Sequence, residues 1–380
     1  MLNPAASHLR MLRLTRRIQL QFRLLMLIAP LLAVALAASA DTGAVSLVVL
    51  PEAVLIEAGP GGEQRLNFDF ILSNDGDRPL RIDGVEVSAF DAAGRLVLRR
   101  FVDDNGSSPS VETLGRRDVP AGGRAIVFNP FHTFPADVEL GELRYRVVLR
   151  DSANAEQVVD ANVRPRAFRP ATALSLPLAG PIIVYDGHDF YGHHRRLALS
   201  DDFARQLGIT SNFMRYSFDF IPVDSAGDMS RGDVAENTAW FGFGAPVMAP
   251  AAGRVVAAVD TAADDRTVVV PAVMQDPVAL YGNYVVIDHG GGEFSLLGHI
   301  RQGSLRVRVG DSVSSGQVVA AIGAAGSSHM PHLHYELRTG PGARGVEGLP
   351  AYFRGYTRHV GARRTRVEVG APDTGEIVER

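Results

Sequence analysis

The chain of 380 residues contains no cysteine. Disulfide bonds, thiolate zinc ligands, cysteine nucleophiles and a lipidated cysteine at a processed N-terminus are therefore excluded. A basic excess is also missing, since 38 Lys and Arg face 42 Asp and Glu and the net charge is -4. This balance argues against a nucleic-acid partner, which would need a positive surface. Any transition-metal site has to be built from histidine and carboxylate side chains.

Long apolar runs are scarce, and the one that stands out lies near the N-terminus. An uncharged apolar stretch over residues 24–37 follows an arginine-rich leader and precedes Ala38-Ser39-Ala40. This order is typical of a secretory signal peptide. The stretch is shorter than the ~20 residues that a spanning helix needs, which favours cleavage over an uncleaved anchor. We predict a signal peptide over residues 1–40 and a protein exported to the periplasm or the extracellular space, without a stable membrane span after processing.

The rest of the sequence consists mainly of short segments in which apolar and polar residues alternate, separated by turn residues. This pattern predicts an all-β fold. Residues 41–165 are expected to form an immunoglobulin-like β-sandwich, an accessory domain without a cluster of catalytic residue types. A connector with two prolines, residues 163–170, leads into a second, glycine- and valine-rich domain over residues 166–360. The last residues, 361–380, are rich in Arg, Glu and Thr and are predicted to be a polar tail.

Histidines are concentrated in the second domain, where nine of the eleven fall between His188 and His359. Buried imidazoles need hydrogen-bond partners, so a cluster of them points to a site. The segment His332-Leu333-His334 is predicted to be a strand, in which residues i and i+2 face the same side. Two imidazoles on one face suit a metal ligand beside an acid/base group. Glu336 continues the same face and is a candidate partner for one of them.

Two further residues stand out less sharply. Asp219 lies between Phe218 and Phe220, so the alternation places its carboxylate on the polar face of a predicted strand. Taken alone, this carboxylate would be better explained by an ion pair with a nearby arginine. His299 follows the apolar segment 294–298 and is unremarkable as an isolated histidine.

Taken together, the motifs resemble the lysostaphin-type (LytM-like) zinc metallopeptidases, which cut peptide bonds in bacterial peptidoglycan. The resemblance covers roughly residues 243–337 and rests on several elements in one order. These are Gly244-Ala-Pro-Val-Met-Ala-Pro, Tyr281-Gly-Asn-Tyr-Val-Val-Ile-Asp, Leu297-Gly-His299, Val309-Gly-Asp and His332-Leu-His334. The resemblance implies a LytM-like antiparallel β-sheet peptidase domain after the sandwich.

The resemblance also implies roles for individual residues. Asp219 and His334 would bind Zn²⁺, while His299 and His332 would be the catalytic histidines on the open side of the site. Zinc lowers the pKa of its water towards ~7 and polarises a carbonyl. A neutral imidazole can then move a proton near physiological pH.

One position departs from the family pattern. The family places its first zinc ligand, a histidine, four residues before the aspartate, where this chain has Arg215, whose guanidinium stays protonated. The His193-His194-Arg195-Arg196 segment resembles a stretch upstream of the aspartate in a divergent branch of the same family. We predict His194 as the third metal ligand, with His193 and then His188 as alternatives.

Three hypotheses about function remain open at this point. The first is a zinc metalloendopeptidase that hydrolyses peptide cross-links of peptidoglycan, and the retained histidines and Asp219 favour it. The second is a catalytically inactive LytM-like protein that binds peptidoglycan or regulates a cell-wall hydrolase, which Arg215 favours. The third, a purely adhesive β-sandwich protein, leaves the second domain unexplained.

Overall fold

The computed structural model describes residues 45–380, and the predicted signal peptide lies outside this range. The described chain is built almost entirely of β-strands, which confirms the predicted all-β class. No helix within residues 45–380 has both the length and the apolar character needed to cross a bilayer.

The first part of the described chain, residues 45–163, is called the N-terminal module below. Together with a short strand that follows it, it contains β1 (Val45–Leu50), β2 (Leu55–Ala58), β3 (Gln64–Leu66), β4 (Asp69–Asn74), β5 (Leu80–Phe90), β6 (Leu96–Val102), β7 (Asp118–Val119), β8 (Gly123–Phe128), β9 (Thr133–Phe134), β10 (Glu142–Arg150), β11 (Glu156–Val163) and β12 (Arg166–Ala167). A 3₁₀ turn covers Ser110–Leu114.

These strands form three antiparallel or mixed sheets. Their orders are β1-β4-β8, β11-β10-β5-β6 with β7 also paired to β5, and β12-β2-β3-β9. The first two sheets share one apolar core, in which Phe70 of β4 packs against Tyr145 of β10 with ring centroids 4.9 Å apart. Alternation of apolar and polar residues along β10 directs one side chain in two into this core.

The second part of the chain begins with β13 and carries the histidines. Its strands are β13 (Pro181–Asp186), β14 (Phe218–Pro222), β15 (Pro246–Met248), β16 (Gly253–Val259), β17 (Tyr284–Asp288), β18 (Phe294–Gly298), β19 (Ser312–Val313), β20 (Val318–Ala321), β21 (Leu333–Arg338), β22 (Gly348–Leu349), β23 (Phe353–Val360), β24 (Arg363–Gly370) and β25 (Ile377–Glu379). Two short α-helices, α1 (Asp202–Gln206) and α2 (Val270–Gln275), and 3₁₀ turns over Asn237–Ala239 and Pro277–Tyr281 complete it.

Eleven of these strands form one sheet. Its order is β19-β16-β17-β18-β21-β14-β13-β25-β23-β24, with β22 paired to β21, while β15 and β20 form a separate pair. Leu333, Tyr335 and Leu337 of β21 point into the main apolar core with Phe218 and Phe220 of β14. The opposite face of β21 and β14 therefore carries the polar residues of both strands.

The prediction of a polar tail over residues 361–380 is wrong. Residues 363–370 form β24, which pairs along its length with β23, and residues 377–379 form β25. β25 lies inside the large sheet, between β13 and β23, and its Val378 is fully buried. β24 is an edge strand whose residues are largely exposed on both faces. Its sequence therefore lacks the alternation of apolar and polar residues that predicts a strand.

Candidate metal centre

A row of residues across four neighbouring strands forms the floor of the site. In the antiparallel registers, Asp186 of β13 lies opposite Asp219 of β14, Asp219 lies opposite His334 of β21, and His334 lies opposite Gly298 of β18. Directly opposed residues have side chains on the same face a few ångströms apart. The sheet therefore brings two carboxylates and an imidazole together from positions far apart in the sequence.

An irregularity in β13 determines which of its residues joins this row. Val184 is paired with Phe220, but the next pair along is Asp186 with Asp219, so Tyr185 is an extra residue on β13. A bulge of this kind redirects the side chains that follow it. Here it turns Asp186 towards Asp219 and leaves Tyr185 exposed.

The absence of a side chain at Gly298 leaves room for the rings of Tyr281 and His334. A Cβ atom at Gly298 would lie 3.1 Å from the ring of Tyr281 and 3.4 Å from the Cβ of His334. Any larger side chain would press into the ring of Tyr281, which packs 5.0 Å from the ring of His334. Glycine is therefore required for the close approach of the two rings.

The imidazole of His334 contacts Glu336, which lies two residues further along the same face of β21. The Nε2 of His334 lies 2.8 Å from Oε1 of Glu336, and the same oxygen accepts a hydrogen bond from the hydroxyl of Tyr281. The other oxygen of Glu336 accepts from Nη1 of Arg338 at 2.9 Å. When Nε2–H donates to Glu336, the lone pair of His334 is on Nδ1, which lies 3.1 Å from Oδ1 of Asp219.

His194 reaches the same point from the loop after β13. Its Nδ1 lies 2.8 Å from Oδ2 of Asp186, and its Nε2 lies 3.6 Å from Oδ1 of Asp219. The side chain is 6% exposed. His194, Asp219 and His334 offer ligand atoms that all lie within 4.8 Å of one another, and all three residues are buried.

The two predicted catalytic histidines flank this group. The Nδ1 of His332 lies 2.7 Å from the carbonyl oxygen of Met330, and its Nε2 lies 3.3 Å from Oδ1 of Asp219. The Nδ1 of His299 donates to the carbonyl oxygen of Ala325 at 2.8 Å. The rings of His299 and His332 are 4.8 Å apart. Because a carbonyl only accepts, each Nδ1 carries the hydrogen and each neutral ring keeps its lone pair on Nε2.

His299 sits in an unusual backbone conformation. Its φ angle is 57°, in the left-handed region that non-glycine residues seldom adopt. It follows directly on the end of β18, so this turn directs the imidazole back over the polar face of the sheet. Strained backbone of this type is concentrated at functional sites, where the surrounding structure holds it.

The two alternatives to His194 lie in different surroundings. His193 is 63% exposed, with Nδ1 at 3.0 Å from Asp186 and Nε2 at 3.9 Å from Asp219. With Asp186 and His194 it forms a second group of closely spaced donors. His188 is buried elsewhere, where its Nδ1 lies 2.9 Å from Oε2 of Glu57 in the N-terminal module.

The donor set fits a zinc ion. When both rings are neutral with lone pairs on Nε2 of His194 and Nδ1 of His334, these lone pairs face a carboxylate oxygen of Asp219. Three acceptors in this arrangement repel one another unless a positive charge lies between them. Two imidazoles and one carboxylate in a tetrahedral arrangement, with one position open, are the usual protein ligands of hydrolytic zinc.

When no metal is bound, a proton on His334 supplies this positive charge. Burial opposes the charged form of His334, but the hydrogen bonds to Asp219 and Glu336 outweigh it and raise the pKa to about 9. Burial raises the pKa of Asp219, yet the nearby His194 and His332 hold it well below its ordinary value. Burial, together with the neighbouring imidazoles of His332 and His334, lowers the pKa of His299 well below its usual range, so this ring is neutral at physiological pH.

Arg215 points away from the histidine cluster. Its buried guanidinium donates to Oδ2 of Asp69 at 2.7 Å and to Oε1 of Glu347 at 2.8 Å. Asp69 belongs to β4 of the N-terminal module. The side chain that stands where the related family has its first metal ligand is therefore engaged in ion pairs and takes no part in the donor set.

With this geometry in place, the sequence can be compared with known proteins. Residues 240–345 match the sequence model of peptidase family M23. The chain carries a peptidase family M23 domain. The match includes His299, His332 and His334 and begins after Asp219, so the resemblance predicted from these histidine motifs is confirmed.

The individual proteins similar to this chain each cover only part of it. A segment of 66 residues is 38% identical to the murein hydrolase activator EnvC of Escherichia coli K12, and it spans 17% of this chain and 15% of that protein. Among solved structures, the catalytic domain of the antimicrobial peptidase lysostaphin from Staphylococcus simulans has 22% identity and a TM-score of 0.24, covering 37% of this chain and 79% of that one. A zinc-containing peptidase from Vibrio cholerae has 14% identity and a TM-score of 0.21, covering 57% and 82%.

Sequence reasoning missed several residues that shape this M23 site. Asp186, which lies against His194, follows a bulge that no local pattern marks. Tyr281 and Arg338 converge on Glu336 from different elements, although Arg338 continues the polar alternation of His332, His334 and Glu336 and could have been noticed on that ground.

Proposed function

We propose that this protein is a zinc-dependent endopeptidase that hydrolyses peptide bonds in peptidoglycan cross-links, in the periplasm or outside the cell. In this proposal His194, Asp219 and His334 hold the metal, and His299 and His332 are catalytic. The observation that carries the proposal is the convergence of three buried ligand atoms within 4.8 Å, beside two further histidines whose Nδ1 atoms are fixed by backbone carbonyls.

The chemistry divides between the ion and the side chains around it. Bound zinc supplies a Lewis acid that activates water and polarises the scissile carbonyl. His299, neutral and fixed by Ala325, is suited to accept a proton at Nε2. His332, fixed by Met330, presents its own Nε2 on the same side and is suited to protonate the leaving amine or to stabilise a developing negative charge.

Peptidoglycan as the substrate is supported by two comparisons. Residues 240–345 are similar to a family of peptidases, and a segment of 66 residues is similar to a murein hydrolase activator; both similarities support a cell-wall peptide as the substrate. The net charge of -4 is consistent with a partner other than nucleic acid.

The test is digestion of purified peptidoglycan by the zinc-loaded protein, followed by mass spectrometry of the released fragments. The expected result is new pairs of amino and carboxyl termini in the peptide stems or bridges. A chelator should abolish their formation, and added zinc should restore it. Release of sugar fragments with intact peptides, or no release by protein with one bound zinc, would contradict the proposal.

A second function has one specific observation in its favour. The relative that shares 66 residues with this chain is named as an activator of murein hydrolases and not as a hydrolase, and Arg215 stands in place of the expected ligand. In that case the chain would bind peptidoglycan or a hydrolase without cutting. Protein that sediments with peptidoglycan, holds no zinc after dialysis and releases no fragments would establish this second function.

A further inference from the structure

The loop that carries His194, residues 187–196, lies against the N-terminal module along most of its length. His188 pairs with Glu57 at 2.9 Å. The ring of Phe190 stacks on that of His132, with centroids 4.2 Å apart. The guanidinium of Arg196 lies 4.2 Å from the ring centroid of Phe128. Three separate segments of the module therefore contact one short loop.

The strongest contact is made by Asp69, at the start of β4. Its Oδ1 accepts from Nη1 of Arg195 at 2.8 Å, and its Oδ2 accepts from Nη1 of Arg215 at 2.7 Å. All three side chains are at most 1% exposed. Arg195 directly follows His194, and Arg215 precedes Asp219 by four residues. One carboxylate of the module thus holds the two segments from which two of the three metal ligands come.

Hydrogen bonds from asparagine side chains to backbone carbonyls reinforce the same junction. The side-chain amide of Asn67 donates to the carbonyl oxygen of Arg215 at 3.0 Å. The amide of Asn212 donates to the carbonyl oxygens of His194 and Arg195, at 2.9 and 3.2 Å. The two ligand-bearing segments are therefore tied to each other as well as to β4.

We propose that the N-terminal module is part of the metal site, and that Asp69 is a positioning residue that fixes His194 and Asp219 at zinc-binding distance through Arg195 and Arg215. This inference rests on the ligand set in the proposed function. In this inference Arg215, at the position where the related family has a metal ligand, anchors the N-terminal module. The ligand comes instead from the loop that the module contacts.

The loop that carries His194 needs support from outside to be ordered. His194 is carried by residues that belong to neither a helix nor a strand, so the sheet alone does not fix its ring. A metal site loses affinity when its ligands must be ordered on binding, since that ordering costs conformational entropy. Groups that orient ligands from outside the coordination shell typically change metal affinity by about 10- to 100-fold.

The experiment measures zinc affinity of the full chain by competition with a chromophoric chelator, and records the visible spectrum of the cobalt-substituted protein. Asp69→Asn removes the charge that Arg195 and Arg215 share. Glu347→Gln is a matched control, because it removes a carboxylate charge from Arg215 and leaves Arg195 in place. Leu149→Ala is a stability control in the core of the module, on β10.

Asp69→Asn should weaken zinc binding at least tenfold and shift the cobalt spectrum towards that of His194→Ala. Glu347→Gln should have a smaller effect, and Leu149→Ala should lower the melting temperature with zinc affinity within twofold of the parent. If Asp69→Asn does not fold, Phe128→Leu, which loosens the hold on Arg196, is measured against the same two criteria.

Zinc affinity within twofold of the parent in the folded variant would overturn the inference. An equal loss in Glu347→Gln would also overturn it, because the effect would then be one of charge alone. The proposed function is tested separately by His194→Ala. If that variant binds zinc normally, the ligand set is wrong; if it loses zinc while Asp69→Asn does not, only the positioning role of the module fails.

Discussion

At the scale of single residues, the site separates side chains that would hold a cation from side chains that would move protons. Asp219 and His334 lie opposite each other on adjacent strands, and His334 is fixed by Glu336. His299 and His332 direct their Nδ1 atoms to backbone carbonyls. These different hydrogen-bond partners are the basis on which we propose different roles for the histidines.

The first prediction concerns Asp219 and His334. Replacing either by Ala should reduce bound zinc to well below one equivalent per chain, because each change removes a ligand from a set of three. Elemental analysis after dialysis is the measurement. His359→Ala, a histidine that pairs with Glu379 away from the site, is the control and should keep its metal. Unchanged zinc in both ligand variants would contradict the assignment.

The second prediction concerns the pair that we assign to catalysis. His299→Ala and His332→Ala should retain most of their zinc and lose activity by roughly 100- to 10,000-fold, since proton transfer contributes to the transition state and little to metal affinity. Metal content and peptide release are measured on the same preparation. If one of them loses zinc as fully as His334→Ala, that histidine is a ligand.

The third prediction distinguishes the two adjacent histidines of the loop. His194→Ala should lose zinc and activity together, while His193→Ala should be milder, because the His193 side chain is 63% exposed and the His194 side chain only 6%. Titration of both variants with zinc is the measurement. Parent-like binding by both would favour the inactive, regulatory function instead.

At the scale of strands and loops, register decides which side chains meet. The alternation in β21 made His332, His334 and Glu336 predictable as one face, since period two needs no knowledge of the neighbouring strands. The bulge at Tyr185, which aims Asp186 at the site, was not predictable, because one extra residue leaves no mark in a strand sequence. His194 could be proposed only from the local density of histidines and from the resemblance of its segment to a divergent branch of the family.

The C-terminal strands show the opposite failure. The polar sequence of residues 361–380 predicts a tail, but β25, which lies within it, is an interior strand of the large sheet. Val378 is buried by β13 and β23, the two strands that pair with β25. β13 is far from β25 in the sequence, and β24 lies between β23 and β25. Propensity within the segment carries no information about such partners.

The fourth prediction follows from this placement. Val378→Ala should reduce the free energy of unfolding by about 2 kcal/mol, because it leaves a cavity in a fully buried position. Val369→Ala is the matched control: Val369 is 50% exposed on β24, so the expected change is below about 0.5 kcal/mol. Urea unfolding of both variants is the measurement. Equal, negligible changes would mean that the segment is a solvated tail after all.

At the scale of the whole molecule, the N-terminal module and the second part of the chain share buried charges. Arg195 and Arg215 contribute two guanidinium groups, and Asp69 and Glu347 contribute two carboxylates, so the cluster is neutral as a unit. Separating the module would leave both arginines without Asp69, and removing one partner of a buried ion pair costs about 3–5 kcal/mol. Asp69 and Arg215 are 146 residues apart, so no sequence pattern could have revealed the pair.

The fifth prediction is that the described parts unfold together and that zinc stabilises both. Calorimetry should give one transition with equal calorimetric and van't Hoff enthalpies. Zinc at 100 times its dissociation constant should add about 2.7 kcal/mol to the free energy of unfolding. A chelator should move the whole transition to lower temperature. Two transitions, of which only one responds to the chelator, would contradict the coupling between module and site.

The interior position of β25 also sets an order of events while the protein is being made. β13, the strand that ends in Asp186, has β14 on one side and β25 on the other, and β25 is the last of the described strands to leave the ribosome. Until then β13 has an open edge, and β23 and β24 cannot join the rest of the sheet through it. The side chains proposed to bind zinc would therefore be synthesised before the strand that completes the sheet beside them. If these residues act as proposed, zinc binding would have to await the pairing of β25 with β13.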